Sequence, residues 1–162
     1  MRVLRPCATI ITVLVATVLV PVSAQADVRR PWATVNVCDT AAAPNTIGIR
    51  AWMPGSSNGK QQRSVRFIVQ YLTKDNRWQA VAAGVDPNYV AAGTGRKPVE
   101  LGRSFRIDPM PGEHVKLRGR VIFKWRARGA VVRSTAVLTT KGHRSSAGAD
   151  PPGFSDASCT IT

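Results

Sequence analysis

The chain has 162 residues, and its 23 Lys plus Arg against 9 Asp plus Glu give a formal charge of +14, with only two His and three Cys. This length suits a single domain with a real core, and the charge turns attention to anionic surfaces and polymers. The composition argues against much chemistry: catalytic zinc usually needs three protein ligands, and glycoside hydrolysis needs two placed carboxylates, for which nothing but scarcity recommends Glu100 and Glu113, the only glutamates, or the nearby Asp108.

Met1–Ala26 reads as a secretory signal peptide. Arg2 and Arg5 form a basic start, Ala8–Val20 is apolar, Pro21 breaks the run, and Ala24-Gln25-Ala26 supplies the small residues of a cleavage site. The apolar run is shorter than the roughly 20 residues of a membrane-spanning helix. Cys7 lies before that run and leaves with it. The expectation is a secreted, extracellular protein, free or held at the cell wall, with no transmembrane segment after cleavage. Residues 27–162 then form one domain of 136 residues carrying about +12. Two cysteines remain, Cys38 and Cys159, near the two ends of that domain. In an oxidising compartment such a pair is most simply a disulfide. Closing a loop of about 120 residues contributes on the order of 4–5 kcal/mol in the chain-entropy account.

After Ala26 alternation dominates, with no helical period of useful length. Trp32–Cys38 sets Val35 and Val37 against Thr34 and Asn36, and Thr46–Trp52 puts Ile47, Ile49 and Ala51 on one face. Ser64–Leu72 places Val65, Phe67, Val69 and Tyr71 opposite Arg66 and Gln70. Arg77–Val81 carries Trp78 and follows the turn residues Lys74-Asp75-Asn76. Ser104–Ile107, Val115–Trp125, Ala130–Thr139 and Ala157–Ile161 complete the series. Turn signals separate most of these runs, among them Pro54-Gly55, Asn58-Gly59, Pro111-Gly112 and Pro151-Pro152-Gly153. Seven to eight short strands without helices argue for an all-β fold, an antiparallel β-sandwich. Val85–Lys97, with a mobile Gly93-Thr94-Gly95, and Lys141–Gly153 read as long surface loops.

Val115–Trp125 and Ala130–Thr139 form one hairpin through Arg126-Ala127-Arg128-Gly129, with Gly129 at positive φ. Leu117, Val121, Phe123 and Trp125 share the core parity. Lys116, Arg118, Arg120, Lys124 and Arg126 share the opposite parity, interrupted by Ile122, and are the candidate binding residues. Between His114 and Ala149 there are nine basic residues and no acid. Because the aromatics of this strand face the core, the outer row reads as charge without stacking, which favours salt-sensitive attraction over sequence-specific nucleic-acid reading.

The order of elements is Cys38, Ile47-Gly48-Ile49-Arg50-Ala51, Arg66-Phe67-Ile68-Val69-Gln70-Tyr71-Leu72, Trp78, Arg118-Gly119-Arg120-Val121-Ile122-Phe123-Lys124-Trp125 and Cys159. This resembles the small secreted immunoglobulin-like or fibronectin type III-like domains of actinobacteria. The resemblance implies an immunoglobulin-like sandwich and assigns no activity. It differs from an immunoglobulin domain in its cysteines, which lie near the chain ends rather than on two mid-domain strands.

No motif carries catalysis. Ser145 and Ser146 follow His143 too closely in sequence to aim at it productively, and the G-x-S-x-G elbow is absent. Gly55-Ser56-Ser57-Asn58-Gly59-Lys60-Gln61 is one residue short of a phosphate loop and ends in Gln. The expectation is therefore a non-enzymatic binding module without cofactor or metal. Its partner is an anionic envelope polymer or an acidic protein, with nucleic acid disfavoured as a specific ligand. The alternatives are a secreted hydrolase built around His143, or an inhibitor or toxin-like protein acting through Val85–Lys97 or Lys141–Gly153.

Overall fold

The computed structural model of the protein describes residues 30–85 and 88–162. The expected signal peptide, Met1–Ala26 with Cys7, and the first residues after it lie outside the described residues. Nine strands are formed: β1 Trp32–Thr40, β2 Ala43–Met53, β3 Gln62–Leu72, β4 Trp78–Val85, β5 Val90–Gly93, β6 Val99–Arg106, β7 Val115–Ala127, β8 Ala130–Leu138 and β9 Cys159–Ile161. All strand pairs are antiparallel and there is no helix among the described residues, so the all-β expectation holds.

The strands form two sheets. One has the order β1-β2-β6. The other has the order β4-β3-β7-β8, with β5 sharing the β4 edge of β3 and β9 pairing with the start of β7. Alternation decides what lies between them. Ile47, Ile49, Ala51 and Met53 of β2 face Val65, Phe67 and Val69 of β3 and Leu117, Val121, Phe123 and Trp125 of β7, and none of these is more than 1% exposed. Burying side chains of this size stabilises by about 1.5–3 kcal/mol each relative to exposure. Arg133 of β8 lies over the Trp125 ring at 4.5 Å and closes that end of the core.

The β7–β8 hairpin turns on Arg128 (φ 51°) and Gly129 (φ 82°), two consecutive positive φ values as a tight hairpin demands. Cys38 on β1 and Cys159 on β9 are disulfide-bonded, with Cα atoms 5.4 Å apart. The bond therefore ties one sheet to the other.

Two expectations change. The stretch Val85–Lys97 is not one long mobile loop. It ends β4, contains β5, and its Gly93-Thr94-Gly95 segment is bonded through every carbonyl. Gly93 and Thr94 accept from the Arg63 guanidinium, while Gly95 accepts from Ser56 N–H and donates to Gly59. The strand was hidden because Val90-Ala91-Ala92-Gly93 has little β propensity of its own; the edge of β3 at Arg63–Val65 supplies its partners. The other loop, Lys141–Gly153, lies on the surface but does not project from it. Residues 139–156 run beside β1, through bridges Ala33–Thr139, Val37–Asp150 and Val35–Asp156, and thereby cover the edge of β1 that β2 leaves open.

Candidate functional site

The five candidate cations share the outer face of the larger sheet, but they do not form one uniform row. Register places Arg118 opposite Gln70, Arg120 opposite Ile68, Lys124 opposite Ser64 and Arg126 opposite Gln62. Lys116 stands at the β9 end of β7, opposite Thr160. Lys116 and Arg120 are exposed, whereas Arg118, Lys124 and Arg126 are half-buried.

The half-buried three are held by neutral partners. Arg118 donates from Nε to Gln70 Oε1 at 3.0 Å, and its guanidinium carbon stands 4.2 Å from the centre of the Trp78 ring. Burial lowers the Arg118 pKa below its ordinary value, and the guanidinium still remains charged at neutral pH. At the other end, Lys124 Nζ is 4.2 Å and Arg126 Cζ 5.8 Å from the centre of one ring, Tyr89. Arg126 also donates to Ser64 Oγ at 3.3 Å. Six residues of strand separate Arg118 from Lys124, about 20 Å at 3.3 Å per residue. Among the described residues, no carboxylate forms an ion pair with any of the five; the pairs found are Arg77–Asp75 and Arg106–Asp108, both exposed. A hollow of about 550 Å³ opens beside Tyr89, walled by Gln62, Ser64, Thr94 and Arg126.

The outer row is therefore not charge without stacking. The rings come from other parts of the chain. Trp78 pairs with Leu72 across β3 and β4, and Tyr89 precedes β5. The alternation around Trp78 fitted this placement, but its register against β3 was not readable. Tyr89 gave no signal, because it lies outside any strand.

At the end of β3, Arg63 turns inward and is 5% exposed. All five of its N–H groups meet backbone carbonyls: Nε meets Gly93, Nη1 meets Pro54 and Lys97, and Nη2 meets Ala92 and Thr94, at 3.0–3.4 Å. Its role is to fasten the two loops at this end of the sandwich. Burial lowers its pKa as well.

The outer face of the smaller sheet carries the other residues singled out in the sequence. Residues 143–148 cross all three of its strands. The His143 ring stacks on Trp32 with centroids 4.0 Å apart, and Trp32 lies parallel to Trp52 at 6.5 Å. Asn36 Nδ2 donates to the carbonyls of Ala147 and Gly148, and Ala147 N–H donates to Glu100 Oε2. His143 Nε2 is 3.1 Å from Thr140 Oγ1, and its backbone N–H donates to Ser155 Oγ. Burial depresses the His143 pKa and the charge of Glu100 opposes that shift. Among the described residues no hydrogen bond joins this imidazole to Ser145 or Ser146, and no group of three or more potential metal ligands occurs. The described residues also contain no helix long and apolar enough to cross a membrane. Compared with protein-family models, with curated proteins and with solved structures, the chain matches none.

Proposed function

We propose that this protein is a secreted, non-catalytic binding module whose larger sheet presents a basic face to an anionic polymer of the cell envelope. The observation that carries this reading is that Arg118, Lys124 and Arg126 are positioned by Trp78, Gln70, Tyr89 and Ser64 rather than neutralised by acids. Ordering such side chains in advance reduces the entropy lost on binding. The charge stays available to a ligand that repeats along the strand direction.

The test is binding of the disulfide-bonded protein to a purified anionic wall polymer and to duplex DNA, each titrated with salt. The expected result is tighter binding to the wall polymer that persists at about 0.15 M salt, where the Debye length is about 8 Å. Reversing charge at Arg118, Lys124 and Arg126 should abolish it while the protein still unfolds in one cooperative transition. Equal, weak binding to both polymers that vanishes at that salt concentration would overturn the reading.

The second reading is single-stranded nucleic acid, favoured by Trp78 and Tyr89 lying among the cations, the combination that sequence-tolerant single-strand binders use. It predicts that Trp78→Ala and Tyr89→Ala each weaken binding to single-stranded DNA by about 1–3 kcal/mol. A glycerol-phosphate wall polymer has no ring to stack and should respond mainly to the charges.

A further inference from the structure

Arg50 stands on the other sheet, on the outer face of β2, opposite Gly102 of β6. Its guanidinium occupies a cradle that two glycines make possible. A Cβ at Gly102 would lie 2.9 Å from Arg50 Cζ, and one at Gly148 would lie 2.6 Å from Nη2. The group is thus sandwiched between a strand and the crossing segment 143–148. Asn36 holds that segment down through its two bonds to the Ala147 and Gly148 carbonyls.

The guanidinium has no acceptor among the described residues, and its Nε is buried. Buried polar groups without partners are uncommon in folded proteins, and an arginine normally finds a carboxylate or carbonyls, as Arg63 does. Glu100 stands two residues before Gly102 on β6, opposite Trp52, and makes no bond to Arg50. Its Oε2 instead accepts from Ala147 N–H at 3.0 Å. Beside the guanidinium lies a half-open cavity of about 170 Å³, lined by Asn36, Ser104, Gly102 and Gly148. A second orphan lies on the same segment: Ser146 Oγ is buried and has no partner among the described residues.

We infer that the Arg50 cradle is an oxyanion site, taking one carboxylate or phosphate group of a small ligand against the fork of the guanidinium. A planar group with parallel N–H donors matches either anion in a two-bond arrangement. At about 170 Å³ the cavity has room for one such group. The site is separate from the basic face of the larger sheet and does not depend on it.

The test is a titration of the disulfide-bonded protein, labelled with nitrogen-15, with inorganic phosphate and, separately, with acetate. The Arg50 Nε–Hε resonance and the amides of Gly102 and Gly148 are followed at constant ionic strength. A saturable shift at all three is expected for at least one anion, and the two arms decide which oxyanion fits. Arg50→Lys keeps the charge but loses Nε and the fork, and should weaken binding about tenfold or more, equivalent to about 1.4 kcal/mol. Lys74→Glu, in the exposed turn between β3 and β4, should leave it unchanged. An Arg50 Nε signal that does not saturate with either anion overturns the inference. So does saturation unaltered in Arg50→Lys. The wild-type titration decides even if that variant does not fold.

Discussion

Arg63 offers the sharpest test of how this sandwich is held. Replacing it with Met keeps the length and apolar stem but removes five N–H donors from the carbonyls of Pro54, Ala92, Gly93, Thr94 and Lys97. A hydrogen bond to a charged group is worth about 1.5–3 kcal/mol, so simple addition would give roughly 7–15 kcal/mol. Two effects reduce that figure. The guanidinium's own desolvation penalty, several kcal/mol, disappears with it. The carbonyls of Pro54, Gly93, Thr94 and Lys97 lie in or beside loops and regain water, whereas the bond to Ala92 O is enclosed. The expected net loss for Arg63→Met is about 3–5 kcal/mol, as for other broken buried charge networks. Arg63→Lys supplies three donors on one compact ammonium and meets at most three of the five carbonyls; it should lose about 2 kcal/mol. Urea unfolding of the disulfide-bonded protein, followed by Trp fluorescence, measures both. Arg63→Met within about 0.5 kcal/mol of wild type at an unchanged denaturant slope would refute the reasoning.

Three further outcomes follow from the packing. Gly119→Ala on β7 would put a Cβ 2.7 Å from Thr139 Cγ2 and 2.8 Å from Ile49 Cδ1, so it should cost about 1–3 kcal/mol by overpacking, read from the same unfolding curves. Replacing both Cys38 and Cys159 with Ala should lower stability by about 4–5 kcal/mol, because the bond closes a loop with a sequence separation of 121; a loss under about 1 kcal/mol would mean that the bridges of 139–156 to β1 already restrain the unfolded chain. For His143, burial favours the neutral imidazole in the folded state, with Glu100 opposing. Its stabilisation is complete above the ordinary value of about 6.5 and is lost as pH falls below that toward the depressed folded value. The protection of amides 143–148, measured relative to their intrinsic pH-dependent exchange rates, should therefore fall as pH drops below about 6.5, and His143→Gln should remove that part of the slope.

The strands most legible in the sequence were those with one dry face. In β3 and β7, Val65, Phe67 and Val69 and Leu117, Val121, Phe123 and Trp125 keep the inward parity, with Ile68 and Ile122 breaking the outer rows, because a one-residue slip would send the inward apolar set to water. The sequence pattern marks only Ser104–Ile107 of the strand that spans Val99–Arg106, because its Gly102-Arg103-Ser104 segment is exposed and carries no alternation. Parity also placed the five cations on one face. It did not show what stands beside them, since Trp78 and Tyr89 reach that face through pairing and loop closure that no local pattern encodes. Arg63 illustrates the opposite failure. It has the inward parity of Val65, yet an arginine at a strand end reads as solvent-facing until the loop carbonyls that receive it are known. The Cys38–Cys159 bond was legible because these two cysteines are the pair left once Cys7 is set aside with the expected signal segment.

The position of that bond also governs how the domain bears force. If tension is applied between Arg30 and Thr162, the load passes along β1 to Cys38, across the sulfur bridge, and out through Cys159 within three residues of the last. Everything between the cysteines, including both proposed binding surfaces except Asn36, hangs from this covalent shortcut as an unstressed ring. Stretching the oxidised protein should therefore release only a few nanometres of chain or less, and only after reduction should the sheets themselves unzip.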